Sequence, residues 1–197
     1  MGGIHLDVEA IVRLISERLD GSVLFIGGVA VQAFADYRTT HDIDLIIREK
    51  NLYLLKGLLK EAGFLYSRSP HLEKHIFKHR DRGEVDAYTE RVGDVRVDEP
   101  FFKNAVEVEY AGIPILVPCL EDILILKVSA GRDMDIEDVA VLIFQHRGEI
   151  DAQTLEQNVG IDPLRRIALL LPEHLPMEYG WTARKELKDW LSERGWL

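Results

Sequence analysis

The sequence is short of several features that define particular protein classes. It has 1 cysteine in 197 residues, Cys119, so an internal disulfide is excluded. We expect that thiol to be a small apolar packing group rather than a nucleophile. No uninterrupted apolar run reaches the ~18 residues of a membrane span, and residues near Met1 lack the basic-then-apolar order of a signal peptide. We therefore expect a soluble, cytoplasmic protein without a membrane partner.

Positive charge is scarce as well. Lys and Arg total 24 against 34 Asp and Glu, which gives a formal net charge of −10. A surface of that sign repels polyanions, so a long nucleic acid is not the expected partner unless a local basic groove exists. The remaining composition, 47% apolar and 29% charged, is that of an ordinary globular protein.

Apolar periodicity predicts an α/β (α+β) fold in which helices flank a mixed sheet. The predicted strands are Val23–Ile26, Ile43–Ile47, Lys74–His79, Glu84–Tyr88, Ala105–Tyr110 and Ile113–Val117, the last four as antiparallel hairpins. The predicted helices are Val8–Leu19 with Asp7 as its cap, Val29–Ala35, Asn51–Ala62, Glu121–Ala130 and Asp135–Gln145. Two or three more helices follow, ending in Trp181–Trp196. We place a boundary near residue 118, between an α/β domain (1–118) and a helical region (119–197) packed on it.

Two carboxylates stand out at the start of the second predicted strand. Asp42 and Asp44 are two residues apart, so both side chains project from one face of the strand. Carboxylates held side by side repel each other unless a divalent cation lies between them. Because Mg²⁺ prefers oxygen ligands shared with substrate phosphates, the pair predicts a Mg²⁺ (or Mn²⁺) site.

A diglycine precedes this pair at the end of the first predicted strand. Gly27 and Gly28 would let backbone N–H groups approach a phosphate closely, beside the N-terminus of the next helix. An ordinary tight turn between strand and helix explains the same two glycines equally well.

A third carboxylate, Asp86, lies in the strand Glu84–Tyr88. If that strand pairs beside the Asp42–Asp44 strand, Asp86 completes a three-carboxylate metal site and can serve as general base. The alternatives are a solvated hairpin carboxylate, or Glu84 in its place, because Glu84 lies on the same face.

Together these residues resemble the nucleotidyltransferase superfamily, in particular its minimal nucleotidyltransferase and abortive-infection toxin branches. The matching segments are Gly27-Gly28-Val29-Ala30, Arg38-x-Thr40-x-Asp42-x-Asp44, Pro118-x-x-Glu121-Asp122-x-x-x-x-Lys127 and Arg132-x-x-Asp135-x-x-Asp138. Related sequences usually have Lys-Asp where this chain has Met134-Asp135.

The resemblance assigns expected roles to these residues. It implies that Gly27 and Gly28 bind nucleotide phosphates, that Asp42, Asp44 and Asp86 bind metal and act in catalysis, and that Lys127 lies near the triphosphate. Arg38 and Thr40 are expected to orient a phosphate, although Arg38 fits a structural salt bridge as well. Lys127, in an apolar helix, alternatively extends along the helix edge to solvent.

Two further patterns each allow two interpretations. His71, His75 and His79 recur every four residues, but their strand context favours a solvated hairpin face over a zinc site. The apolar stripe of Trp181–Trp196 is typical of core packing, and a homodimer or partner surface is the alternative.

The predicted reaction is transfer of a nucleoside monophosphate from an NTP to a hydroxyl of an unidentified small-molecule or protein acceptor. The alternatives are a non-catalytic nucleotide-binding module, one member of a toxin–antitoxin pair, and a metal-dependent phosphohydrolase with water as acceptor.

Overall fold

The computed structural model describes residues 8–19, 21–35, 37–69, 71 and 73–197. They form two compact units, the first ending at Cys119 and the second running from Leu120 to Leu197. Asp7, the predicted cap of the first helix, lies outside the described residues. No helix among the residues described is long and apolar enough to cross a membrane.

The first unit combines helices with a mixed sheet, which confirms the α/β (α+β) class predicted from the sequence. Its helices are α1 (Val8–Arg18), α2 (Gly27–Phe34), α3 (Leu52–Glu61) and α4 (Glu99–Lys103). Its strands are β1 (Val23–Ile26), β2 (Ile43–Ile47), β3 (Leu65–Ser69), β4 (Lys74–His79), β5 (Gly83–Tyr88), β6 (Arg91–Val92), β7 (Val95–Arg96), β8 (Val106–Tyr110) and β9 (Ile113–Val117).

Five strands form the main sheet, in the order β1-β2-β5-β4-β3. Strands β2 and β5 run parallel, and the other neighbours in this sheet are antiparallel. The predicted hairpins are confirmed, since β4 pairs with β5 and β8 pairs with β9 in antiparallel register. The parallel β2–β5 pair brings together two strands that lie far apart in the sequence.

One face of the main sheet is apolar over its central strands. Leu45 and Ala87 are fully buried there, beside Phe77 at 1% exposure. The amphipathic helices α1 and α3 supply the apolar stripes of this unit, with Ile11, Val12, Ile15, Leu52, Leu55 and Leu59 all buried. Each such side chain contributes about 1.5–3 kcal/mol by leaving water, so this core holds the sheet rigidly under the polar residues of its other face.

Four of these elements were not predicted, namely β3, α4 and the paired strands β6 and β7, which at two residues each are too short to show a period. Strand β3 is the edge of the sheet, and its residues are exposed or half-buried, with Leu65 at 77% exposure. An exposed edge strand lacks the inside–outside alternation from which strands are recognised. Helix α4 is a short segment between the hairpins, begun by Pro100 in its first turn.

The second unit is helical. Its helices are α5 (Leu120–Ala130), α6 (Asp133–His146), α7 (Ala152–Val159), α8 (Ile161–Ala168), α9 (Leu171–His174) and α10 (Gly180–Glu193). Four helices therefore follow α6 in the described chain, so the predicted number of two or three helices is wrong. The short helices at 161–168 and 171–174 follow one another almost without a loop, which hides the boundary between them in the sequence. In α10, Leu187 and Leu191 are fully buried and Trp190 nearly so, whereas Trp181 is 84% exposed.

Candidate active site

The aspartates of β2 and β5 are direct neighbours across the parallel pair. The register sets Asp44 opposite Asp86, and Ile43 opposite Val85. Side chains that are opposite each other in a parallel pair project from the same face. The two strands are thus adjacent, as the three-carboxylate hypothesis requires, and both carboxylates lie on the face away from the buried Leu45 and Ala87.

The glycine turn at Gly27 lies against the carboxylate of Asp44. Gly27 begins α2 directly after β1, with a positive φ of 62° that favours glycine. A Cβ atom on Gly27 would come within 2.3 Å of Oδ2 of Asp44. A side chain at position 27 would therefore fill the space where the start of α2 meets the Asp44 carboxylate.

Lys74 neutralises part of the negative charge on this face. Its ammonium forms an ion pair with Oδ2 of Asp86, and both side chains are largely buried, at 16% and 14% exposure. Burial raises the pKa of Asp86, as does the charge of Glu84, while Lys74 opposes the rise. The repulsion between the Asp44 and Asp86 carboxylates is thus partly offset by one lysine.

Glu84, the alternative third carboxylate, pairs with a lysine and also interacts with the side chain of Asp86. Its carboxylate lies 2.7 Å from Nζ of Lys78, the residue opposite it on β4. Burial alone would raise the pKa of Glu84, but its hydrogen bond and ion pair with Lys78 leave that pKa lowered. Asp86, rather than Glu84, lies beside Asp44.

Asp42, Arg38 and Thr40 lie on the connection into β2. Asp42 is exposed and directly precedes the strand, and its backbone carbonyl accepts a hydrogen bond from Oγ1 of Thr40 at 3.2 Å. Arg38 donates from Nε to the hydroxyl of Tyr37 at 3.2 Å. A Cβ atom on Gly28 would meet Oγ1 of Thr40 at 2.3 Å and a guanidinium nitrogen of Arg38 at 3.4 Å. Gly28, Thr40 and Arg38 are therefore close together.

The donor atoms suit a hard divalent cation. Oδ1 of Asp86 is buried and has no hydrogen-bond partner among the described residues. Carboxylate oxygens are the ligands that Mg²⁺ prefers. Within the described chain, however, no three Asp, Glu, His or Cys side chains converge closely enough to enclose a metal ion. The arrangement matches a cation shared between carboxylates and a substrate phosphate, rather than a closed protein cage.

Lys127, in the second unit, lies in a buried ion cluster. Its Nζ is 2.9 Å from Oδ1 of Asp135 and 2.7 Å from Oδ2 of Asp138. Lys127 is 6% exposed and the two aspartates are 1% and 0% exposed. Arg132 adds a hydrogen bond of 2.6 Å to Asp135. A contact between Lys127 and a triphosphate stays a prediction, and two carboxylates already compensate the ammonium.

The three spaced histidines have different surroundings. Nδ1 of His79 accepts backbone N–H groups of Asp81 and Arg82, at 3.0 and 3.1 Å, which caps the β4–β5 turn. His75 is buried at 6% exposure and contacts Tyr66, whereas His71 is exposed. The solvated hairpin face is therefore wrong for His75, because its position on β4 turns it to the buried side of the sheet.

Lys74 lies on this face but was not among the predicted site residues. Alternation along β4 puts Lys74 and Ile76 on one side, and the register sets Ile76 opposite Asp86. The diagonal neighbour of Asp86 is consequently Lys74. The signal that identifies this pair is in the sequence, since counting outward along both strands from the Asp81-Arg82-Gly83 turn brings Lys74 next to Asp86.

A mixed sheet with a glycine turn beside paired aspartates is the fold of a nucleotidyltransferase. Residues 5–171 match the model of a family described as nucleotidyl transferase of unknown function (DUF2204), and the chain belongs to this family. No curated protein sequence matches it significantly.

Solved structures show the same fold. The crystal structure of ANT(2")-Ia in complex with adenylyl-2"-tobramycin superposes with a TM-score of 0.60, at 15% identity over 81% of this chain and 97% of that one. The solution structure of the antibiotic-resistance factor ANT(2'')-Ia gives a TM-score of 0.58, at 18% identity over 84% and 98%. An antigenic nucleotidyltransferase-like protein from Paracoccidioides brasiliensis gives 0.52, at 18% identity over 94% of each chain.

Proposed function

We propose that this nucleotidyltransferase moves a nucleoside monophosphate from an NTP to a hydroxyl group of a small molecule, with Mg²⁺ or Mn²⁺ as cofactor. The observation that carries the proposal is the register of β2 on β5, in which Asp44 and Asp86 are direct neighbours, with Asp44 against Gly27. The two carboxylates suit the metal ion of a metal–triphosphate substrate, and the backbone at Gly27 lies close enough to them to bind its phosphates.

Each residue has a proposed role. Asp42, Asp44 and Asp86 would hold the cation together with the substrate phosphates, whose charge the cation would neutralise. Asp86 also accepts the proton of the attacking hydroxyl, and the burial that raises its pKa makes it a stronger base. Gly27 and Gly28 bind the phosphates through backbone N–H groups, and Arg38 and Thr40 orient them. Pyrophosphate leaves as the acceptor oxygen bonds to the α-phosphorus.

A small acceptor is supported by two observations. The net charge of −10 opposes the approach of a long polyanion such as RNA. One structural neighbour, ANT(2")-Ia, was crystallised with adenylyl-2"-tobramycin, in which the modified molecule is a small one. An intracellular location follows from the proposed NTP donor. A homodimer or a toxin–antitoxin partner stays a prediction.

The test is transfer of label from α-³²P-labelled NTPs, with Mg²⁺ or Mn²⁺, to a panel of hydroxyl-bearing small molecules that includes tobramycin. We expect labelled acceptor and released pyrophosphate with the wild type, and neither with Asp42→Ala/Asp44→Ala. The matched control is Asp81→Ala/Asp94→Ala, which removes the same charge from exposed loops and should keep full activity. Equal transfer by both double variants contradicts the proposal, and label found only in free nucleotide identifies a phosphohydrolase instead.

A further inference from the structure

A cavity lies on the face of the main sheet opposite to Asp44 and Asp86. Successive residues of β4 face opposite ways, so Lys74 contacts Asp86 on one face while His75 lies on the other, between Arg68 of β3 and Ala87 of β5 in the register. There a cavity of about 260 Å³ is lined by Lys56, Tyr66, Arg68, Glu73, His75 and Glu49, among others. None of these residues has a role in the proposed nucleotidyl transfer.

Part of the cavity lining carries positive charge next to the aromatic ring of Tyr66. Nζ of Lys56 lies 4.2 Å from the centroid of the Tyr66 ring, and the Tyr66 hydroxyl is 2.9 Å from Nδ1 of His75. Neither Lys56 nor Arg68 forms an ion pair with another residue that the structure describes. The Tyr66 ring is 44% exposed and offers a flat surface to a bound molecule.

Lys56 and Arg68 are both close enough to the buried His75 to affect its pKa. Burial lowers the pKa of His75, and the charges of Lys56 and Arg68 lower it further. The positive charge of the cavity lining comes from Lys56 and Arg68. An anionic group between Lys56 and Arg68 would find two uncompensated donors and the polar edge of His75.

The lining of the cavity also carries negative charge. It includes Glu49 and Glu73, which form no ion pair with a described residue, and Glu90 as a third carboxylate. Glu73 has a positive φ of 49°, a strained backbone for a residue other than glycine, and such strain is concentrated at binding and switch sites. Because three carboxylates outnumber two cations, this lining would repel an anion that has no positive group.

We infer that this cavity binds a small zwitterion, whose anionic group lies between Lys56 and Arg68 and whose ammonium group faces Glu49 and Glu73. The anionic group is a carboxylate or a phosphate, because both chemistries suit Lys and Arg. The site is separate from the Asp44–Asp86 pair, since the sheet lies between them. Binding there does not depend on the proposed transfer reaction.

The test is a titration of isotope-labelled protein followed by NMR of the Tyr66 and His75 side chains, with calorimetry for affinity. 4-Aminobutyrate and O-phosphoethanolamine both have three atoms between the ammonium nitrogen and the anionic group, so they distinguish a carboxylate from a phosphate at matched spacing. Acetate, inorganic phosphate and ethanolamine carry one charge type each. We expect one zwitterion to bind at least about tenfold more tightly than its single-charge counterparts, a difference of about 1.4 kcal/mol. Equal affinity for the single-charge probes, or no shift at Tyr66 and His75, overturns the inference.

Matched variants locate the binding. Lys56→Gln and Arg68→Gln should each weaken binding of the zwitterion about tenfold or more. Glu73→Gln should weaken binding of the zwitterion but strengthen binding of inorganic phosphate, because one repelling carboxylate is removed. Lys60→Gln, on the same helix as Lys56 but exposed and outside the cavity, should bind as the wild type does. Asp44→Asn should also leave this affinity unchanged, even where it abolishes transfer. If Lys60→Gln weakens binding as much as Lys56→Gln, the charge effect is general and the site is wrong.

Discussion

Gly28 and the side chain of Thr40 lie so close together that position 28 has no room for a side chain. A Cβ atom on Gly28 would lie 2.3 Å from Oγ1 and 2.7 Å from Cβ of Thr40. Since the Cβ of Thr40 is fixed by its backbone, no rotation of the side chain would relieve the contact. The second glycine of the diglycine is therefore required by the fold of this turn, whatever it binds.

Gly28→Ala should destabilise the protein because the new methyl group forces the Thr40 loop away. Overpacking of this kind costs about 1–3 kcal/mol. The control is Gly57→Ala, in the middle of α3, where an added Cβ meets nothing within 4 Å and should stabilise the helix by about 0.5–1 kcal/mol. Urea denaturation of both variants measures the two free energies of unfolding, and a change of the same sign in both would contradict the expected contact.

Gly27→Ala should affect the candidate site as well as stability. Gly21 and Gly27 both have positive φ, at 66° and 62°, but only an added Cβ at Gly27 meets Asp44. Gly21→Ala and Gly27→Ala share the backbone cost of about 1–2 kcal/mol, so Gly21→Ala is the matched control. We expect Gly27→Ala to lose nucleotide transfer and Mn²⁺–NTP binding, measured by labelled transfer and calorimetry. If Gly21→Ala and Gly27→Ala bind Mn²⁺–NTP equally well, Asp44 does not belong to the nucleotide site.

Asp86→Asn should separate catalysis from folding. Asparagine has nearly the same shape but cannot accept a proton, so the rate of transfer should fall by at least about 10²-fold, the usual contribution of a general base. Removing the charge also removes repulsion with Asp44, and the charged form of Asp86 is disfavoured by burial. The ion pair with Lys74 is lost, but the asparagine oxygen can still accept a hydrogen bond from that lysine, so the free energy of unfolding should fall by less than the cost of a broken buried pair, about 3–5 kcal/mol. Rapid-quench measurement of a single turnover gives the rate, and Glu84→Gln, expected to keep activity, is the control.

The apolar pattern predicted strands with buried residues better than the exposed strand β3. Strands β1, β2, β4 and β9 have the bounds that were predicted, because each is a run of apolar or alternating residues between turns. Helix α2 starts at Gly27, two residues before the predicted start, since the two glycines have low intrinsic helix propensity and conceal the first turn. Edge strand β3 has no buried stripe to reveal it.

The candidate site was predictable only as far as local spacing reaches. Asp42 and Asp44 were recognised because they lie two residues apart in the sequence. Asp86 was joined to them by the hypothesis that its strand pairs with theirs, and by a resemblance to a known family. The β4–β5 turn fixes the contact of Asp86 with Lys74, but the contact of Asp86 with Asp44 depends on the register of two strands far apart in the sequence. Composition and periodicity do not determine that register, which the core packing of the opposite face sets.

Lys127→Met should be strongly destabilising, because it would leave the buried carboxylates of Asp135 and Asp138 without their ammonium partner. Breaking a buried pair from one side costs about 3–5 kcal/mol. The control is Lys185→Met, which removes an exposed ion pair with Asp189 at 67% and 56% exposure and should cost no more than about 1 kcal/mol. Chemical denaturation at neutral pH measures both, and similar costs would show that the buried cluster contributes nothing special.

The effect of Lys127→Met should shrink on acidification. Burial alone would raise the pKa of Asp135, but hydrogen bonds and charge from Arg132 and Lys127 hold it below its ordinary value of 3.8. A carboxylate with a lowered pKa stabilises the fold above its unfolded value, and that stabilisation is lost as the pH falls through the lower folded value. The wild type should therefore lose stability between about pH 5 and about pH 2, and its advantage over Lys127→Met should narrow there. Free energies of unfolding of both proteins across this range test the ion pair directly, and a difference that stays constant with pH would show that Lys127 stabilises the helices through packing of its aliphatic chain instead.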